Sequence, residues 1–381
     1  MSDAISLLPV GAAEKVVFVP ETTAFGGGER VLLALSRYLY DQSIPHRFAW
    51  YYPTVQLAPH ASWPVREEHL EPGRKPLNKI KALGSYLHRV GGKSAGAVLL
   101  VGIQAALHAG LCSARDYSLL ILDTPSLLSP PPGEGGAKWK ARLRHQVSRP
   151  LIRRAMRRAR SVMVTTDYMA EEVRRLYGFQ PRIVRQGAPA GTFQPRSTKA
   201  GEPIRLLSVC RLEPNKRVDW ILHSQAELRR SAWSSGHPLN CELDIVGSGG
   251  ESEALRVLAS GLGLDGSVRF HGRVSDGRLE ELYSRAHLFL MPARQGYGLP
   301  ALEALSRGLP VVMHQESGVS EILKGTPWVE LMQGEAETLR EGIRRMARRL
   351  ASAELLHEPL PKFPSESEWA DEVCRHCGWL A

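Results

Sequence analysis

Hydrophobic positions along this chain alternate between two textures. Short β-branched runs such as Val16-Val17-Phe18-Val19 read as buried strands, and longer stretches with apolar residues three and four apart read as helices. Over residues 29–40, for example, Val31, Leu32, Leu35 and Leu39 share one helical face. Further strands are expected at 47–50, 97–101, 118–122 and 161–164, with helices at 77–90 and 168–177 between them. Strands separated by helical stretches imply right-handed crossovers and a parallel sheet.

Residues 186–202 interrupt this pattern with Gly187, Pro189, Gly191, Pro195 and Gly201, punctuation dense enough for a linker. A second alternation follows, with strands at 204–209, 242–246, 268–270, 288–291 and 310–313 and helices at 218–230, 252–259, 276–285 and 300–307. We therefore expect two doubly wound α/β domains. Ligands bind such sheets outside the carboxyl ends of the strands, and two facing sheets make a cleft. The expected boundaries are 1–190 for the first domain and 191–355 for the second. Residues 356–381 form a terminal helix packing back toward the first domain.

The 381 residues suit two domains at about 100–200 residues each, and 43% hydrophobic with 23% charged residues is globular composition. No apolar run reaches the ~20 residues of a spanning helix, and the first fifteen residues lack the pattern of a secretory leader. Five scattered cysteines argue against a disulfide framework and fit a cytoplasmic protein. Cys374-Arg-His-Cys377 lacks the second pair a structural zinc site needs, so no metal site is expected.

Three segments carry candidate chemistry. Gly26-Gly27-Gly28-Glu29-Arg30 joins the first strand to the first helix, where glycines admit close approach and free amides favour anions. It lacks the spacing of a dinucleotide fingerprint. Arg211 and Lys216 follow the first strand of the second domain, and two such cations on a strand-end loop suit a diphosphate. In Gln295-Gly-Tyr-Gly-Leu-Pro-Ala-Leu-Glu303 a glycine turn leads into a helix expected to begin at Pro300, with Glu303 in its first turn. Glu303 there can accept from two vicinal hydroxyls or simply complement the helix dipole.

In order and spacing these segments resemble the retaining nucleotide-sugar glycosyltransferases of family 4 (glycosyl transferases group 1), which have the GT-B fold of two Rossmann-like domains facing a central cleft. The likeness extends to the 164–172 strand and helix, to Asp244-Ile-Val-Gly247-Ser-Gly249 and to Val268-Arg-Phe-His-Gly272. Its most specific part is the stretch from Gly298 through Glu303 and Gly308 to Pro310-Val-Val.

The resemblance implies that Arg211 and Lys216 hold the donor diphosphate and stabilise the leaving group. Glu303 binds the donor ribose, Tyr297, Gly298 and Leu299 present amides, and Gly26, Gly27 and Gly247 also line the donor. The acceptor lies near Gly27 and Asp123. No D-x-D motif occurs, so cations and amides rather than a metal meet the leaving charge, and no cofactor is expected beyond the nucleotide sugar.

Two departures stand out. Gln295 occupies the place of a family glutamate, keeping an acceptor but losing a charge. Asp123 takes the place of a frequent histidine. A changed donor preference, slower chemistry and an inactive enzyme all remain open for Gln295. A sugar-nucleotide-binding partner subunit and a nucleotide-sugar epimerase are the alternative functions.

The net charge of +10 has a local origin. Residues 137–160 carry ten Lys/Arg and no acid, and the rest of the chain holds 39 Lys+Arg against 39 Asp+Glu. Trp139, Leu143, Val147, Leu151 and Ala155 recur every fourth residue, with Ile152 and Met156 beside them, which reads as a basic amphipathic helix, kinked at Pro150. Such a helix suits the anionic inner face of a membrane, with Trp139, Arg153, Arg154, Arg157 and Arg158 as contacts and a lipid-linked or saccharide acceptor nearby. The alternative is that its apolar stripe packs on the first domain and leaves the arginines solvated. Nothing accompanies the charge that reads nucleic acid.

Overall fold

The computed structural model describes residues 14–20, 26–52, 54, 56–73, 75–91, 96–113, 115–122, 138–198, 201–230 and 239–380, with the backbone alone at 76, 91 and 138–145. Asp123 and the glycine- and proline-rich stretch 129–136 lie outside the described residues, and no side chain is described for Trp139.

The chain divides into two compact units, one comprising Met1–Gly187 with Pro364–Ala381 and the other Ala188–Phe363. The first unit runs β1 (Lys15–Val19), α1 (Gly27–Asp41), β2 (His46–Trp50), β3 (Glu67–His69), α2 (Pro76–Gly91), β4 (Val98–Val101), α3 (Ile103–Leu111), β5 (Tyr117–Ile121), α4 (Lys138–Arg158), β6 (Val162–Val164), α5 (Asp167–Tyr177) and β7 (Arg182–Ile183). Its seven strands lie in the order β3-β2-β1-β4-β5-β6-β7, all pairs parallel. Both faces of this sheet are covered, so its central strands are apolar throughout: Val16, Val17 and Phe18 of β1 and Leu99 and Leu100 of β4 are fully buried.

The second unit runs β8 (Ile204–Val209), α6 (Val218–Arg230), β9 (Cys241–Val246), α7 (Ser252–Gly261), β10 (Val268–Gly272), α8 (Asp276–Arg285), β11 (Leu288–Met291), α9 (Leu299–Ser306), β12 (Val311–His314), α10 (Ser320–Leu323), β13 (Val329–Met332) and α11 (Ala336–Ala351). Six parallel strands lie in the order β10-β9-β8-β11-β12-β13. Chain order reverses between β8 and β11, so the loops leaving those two strands border the switch point where doubly wound sheets take ligands. The last helix, α12 (Glu366–Cys377), belongs to the first unit. There Tyr38 donates to Asp371 at 2.6 Å, and the Trp379 indole donates to the Gly96 carbonyl at 2.8 Å. Cys374 and Cys377 are both buried, and burial pushes both thiols up.

Helix α4 corrects one expectation. It runs through Pro150 without interruption, and its buried face is Ser148, Ile152, Ala155 and Met156, while Val147 is 58% exposed. A row spaced by four drifts about 40° per step around a helix of 3.6 residues per turn. Residues spaced 0, 4, 7 and 8 stay on one side. The described apolar face of α4 is therefore part of the first unit's core. Arg149, Arg153, Arg154 and Arg157 remain exposed, but Arg158 is half-buried and donates to the Cys112 carbonyl at 2.7 Å.

Candidate functional site

The loop after β8 holds Arg211 and Lys216, and the loop after β11 holds Gln295. The chain separates Lys216 from Gln295 by 79 residues, but the adjacency of β8 and β11 puts their loops side by side. The Lys216 ammonium donates to the Gln295 Oε1 at 2.5 Å, and the Gln295 amide nitrogen donates to the Met291 Sδ at 3.0 Å. These two bonds fix the amide's orientation, since only its oxygen can accept from an ammonium. Main-chain bonds stitch the same loops together: Arg294 N–H donates to the Asn215 carbonyl at 2.8 Å, and the Asn215 side-chain amide donates to the Arg294 carbonyl at 3.0 Å.

Lys216 is held as a half-buried cation. Burial pushes its pKa below the ordinary lysine value, and the neighbouring Arg211 charge pushes the same way. Beside it, burial raises the Cys210 thiol to about 11, so that group stays protonated and neutral. Arg211 differs: its side chain is 59% exposed and pairs with Glu213 at 3.0 Å. It is a surface cation free to turn toward a ligand at little cost, because exposed pairs contribute about 0–1 kcal/mol.

Gly247, at the end of β9, adopts φ +131°, and its N–H donates to the Gly272 carbonyl at 2.8 Å. A Cβ there would lie 1.8 Å from the Cys210 carbonyl oxygen, so this turn rests directly on the loop carrying Arg211. Gly298 opens α9 at φ +116°, and a Cβ on it would lie 2.8 Å from the Gln295 side-chain nitrogen. Tyr297 is buried, with its carbonyl accepting from Val319 N–H at 2.9 Å. Helix α9 begins at Leu299 rather than Pro300; Pro300 has no N–H, and the Ala301 N–H donates to the Gly298 carbonyl at 3.1 Å.

That helix start also moves Glu303 into the second turn, away from the dipole role expected for a first-turn acid. Glu303 is 7% exposed, and one carboxylate oxygen accepts from the Tyr283 hydroxyl at 3.1 Å. The Tyr283 ring lies beneath the Arg307 guanidinium at 4.8 Å. Glu303 is thus anchored to α8, whereas Lys216 touches Gln295, whose side chain lies against Gly298. Gly26 and Gly27 belong to the other unit, where Gly26 precedes α1 and donates its N–H to Glu29 at 2.8 Å. Among the described residues no group of three or more His, Cys, Asp and Glu side chains is placed to hold a metal ion.

Sequence reading missed Arg217 and Glu316. The Arg217 guanidinium donates to Glu316 Oε2 at 2.5 Å and to the Pro292 carbonyl at 3.3 Å. Burial pushes the Glu316 carboxyl up, but the Arg217 hydrogen bond and charge outweigh it and hold the group below the usual range.

This architecture defines a class. It is the GT-B glycosyltransferase fold, shared for instance with Anabaena HepE, solved in complex with UDP, at a TM-score of 0.68 and 15% identity over 96% of this chain and all of that one. More narrowly, the family model for glycosyl transferases group 1 matches residues 191–348, so the stretch that carries Lys216, Gln295 and Glu303 is a glycosyl transferases group 1 domain.

Among curated proteins, an exopolysaccharide phosphotransferase of Streptomyces coelicolor is 32% identical over 44% of this chain and 17% of its own length. D-inositol 3-phosphate glycosyltransferase 2 of Catenulispora acidiphila is 31% identical over 42% of this chain and 41% of its own. The matched stretches therefore span less than half of either relative.

Proposed function

We propose that this protein is a retaining glycosyltransferase that moves a sugar from a nucleoside diphosphate to a hydroxyl acceptor. The observation that carries the reading is the Lys216 ammonium, held by Gln295 at the switch point of the second sheet. The domain match over 191–348 and the UDP bound to the Anabaena neighbour support a nucleotide donor. The two relatives, named for exopolysaccharide phosphotransfer and for glycosyl transfer with D-inositol 3-phosphate, support a saccharide or phosphorylated polyol acceptor.

In the reaction so assigned, the bond from the anomeric carbon to the β-phosphate oxygen breaks and its electron pair stays on that oxygen. Lys216 and Arg211 meet the growing charge together with main-chain amides at the start of α9, and the scheme needs no metal ion. The acceptor hydroxyl forms the new bond on the same face and passes its proton to the departing phosphate. No side chain acts as nucleophile. Glu303 takes the donor ribose, its carboxylate anchored by the Tyr283 hydroxyl. We assign the acceptor to the first unit, near Gly27 and Asp123.

Incubation with a panel of labelled sugar nucleotides tests the reading. Release of free nucleoside diphosphate, dependent on an acceptor and weakened in Arg211→Ala, is the expected outcome. Binding without turnover would favour a non-catalytic partner subunit, and inversion of a sugar centre without transfer would favour an epimerase.

We further assign the exposed arginines of α4 to an anionic membrane surface, where each cation contributes about 1 kcal/mol. Among the described residues no helix is long and apolar enough to cross a membrane. Because Ile152, Ala155 and Met156 are committed to the core, docking by the described part of α4 rests on charge. The triple variant Arg153→Gln, Arg154→Gln, Arg157→Gln should lose sedimentation with phosphatidylglycerol vesicles, and wild-type binding should weaken with salt. Equal sedimentation of variant and wild type would overturn the assignment.

A further inference from the structure

Among the described residues, Arg217 is one of five other than glycine with a positive φ, at +53°. It follows the short turn Pro214–Lys216, and its N–H donates to the Pro214 carbonyl at 3.1 Å. A left-handed conformation strains any residue with a Cβ, and such strain persists only where surrounding contacts over-determine it. Here they do. One guanidinium nitrogen donates to the Pro292 carbonyl in the loop after β11, and another to Glu316 in the turn after β12. The guanidinium carbon lies 4.4 Å from the centre of the Trp220 ring at the start of α6.

Glu316 is itself fixed: its N–H donates to the His314 Nδ1 at 3.1 Å, and its carbonyl accepts from the Gln295 N–H at 3.3 Å. A single side chain thus joins three segments, and two of them carry Lys216 and Gln295. The residue before Arg217 is Lys216, whose ammonium must reach Gln295, and the left-handed turn sets the direction in which Lys216 leaves the chain.

We propose that Arg217 is a positioning residue for transfer: it clamps the loops after β8, β11 and β12 together and so sets the Lys216–Gln295 pair against the departing phosphate. The inference rests on the reading of Lys216 given above. Lysine in its place keeps a cation for Glu316 but has no planar fork to reach the Pro292 carbonyl at the same time. Glycine accepts the left-handed conformation without strain but makes none of the contacts.

The test uses the full chain with Arg217→Gly and Arg217→Lys. In Arg217→Gly the relieved strain offsets part of the lost contacts, so Tm should stay within about 3 °C of wild type. Misplacing a reacting group by about 1 Å can cost on the order of 100-fold, and we expect kcat to fall ~10–100-fold with a much smaller change in KM for the donor. Arg217→Lys should recover part of kcat. An unchanged kcat in Arg217→Gly, or a loss that only tracks a fall in Tm, would overturn the proposal.

A second readout needs no turnover. The side-chain amide resonances of Gln295, assigned by comparison with Gln295→Glu, should move in Arg217→Gly if the pair is displaced, and unmoved resonances also overturn the proposal. If wild type turns over no sugar nucleotide, the transfer reading fails by itself. The amide signals then still report whether Arg217 positions Gln295.

Discussion

Lys216→Met should lower kcat/KM for the nucleotide sugar by about 10²–10³-fold, the usual cost of removing one group aimed at developing negative charge. Methionine keeps the unbranched stem but removes the charge that contacts Gln295 Oε1. It should not unfold the protein. The half-buried ammonium, whose hydrogen bond goes to the neutral Gln295 amide, carries a desolvation cost, so the neutral side chain should leave Tm unchanged or raise it slightly. Measured together, kcat/KM and Tm separate the two roles. A large fall in Tm parallel to the loss of activity would mark Lys216 as a structural residue and sink the assignment.

The same cation predicts opposite pH trends for activity and stability. Burial lowers the folded-state pKa of Lys216, so in free enzyme the ammonium is lost at a lower pH than in an ordinary lysine. The alkaline limb of kcat/KM, which reports free-enzyme groups, should therefore appear early and move upward in Lys216→Arg. Stability runs the other way. Between the depressed folded pKa and the unfolded one, the unfolded chain binds more protons, so this group's contribution to stability rises with pH across that window. An alkaline limb that Lys216→Arg leaves in place would show that another group controls it.

Much of this architecture is legible in the periodicities, and the parts that are not have physical reasons. Buried strands such as β1 and β4 announce themselves because both faces of a parallel sheet are covered. Strand β3, Glu67–His69, is a polar edge strand of three residues, with no apolar alternation to read. Helix α3 is buried nearly all round, through Ile103, Ala105, Ala106, His108, Ala109 and Gly110, so it has no polar face to give a helical period. In α4 a row of every fourth residue drifts around the 3.6-residue turn, so Val147 is exposed while Ala155 and the neighbouring Ile152 and Met156 are buried.

At the site, Arg211, Lys216 and Gln295 can be picked out from their resemblance to a family pattern. That resemblance does not show that Lys216 and Gln295 touch, because their contact depends on which strands are neighbours. Arg217 is invisible for a different reason. An arginine beside a lysine reads as one more surface charge, and a left-handed backbone is signalled in sequence only when glycine or asparagine occupies it. Glu316 then has no reason to be noticed, since its importance comes from the guanidinium it accepts.

Gly247→Ala should be the most destabilising single-methyl change at the site. At φ +131° an alanine is strained by itself, and its methyl would overlap the Cys210 carbonyl oxygen at 1.8 Å. Backbone strain costs about 1–3 kcal/mol and overpacking about as much again, which sums to roughly 2–6 kcal/mol. At ~2–4 °C per kcal/mol for a domain of this size, Tm should fall by roughly 10 °C. The damage reaches function through the main chain, because relief of the clash must push away Cys210 and with it Arg211 and the turn that carries Lys216. Transfer should therefore be impaired even at temperatures where Gly247→Ala remains folded. Gly250→Ala supplies the control on the same loop: its Cβ would meet nothing within 4 Å, so stability and activity should stay near wild type. Equal behaviour of the two variants would show that this turn does not support the loop bearing Arg211 and Lys216.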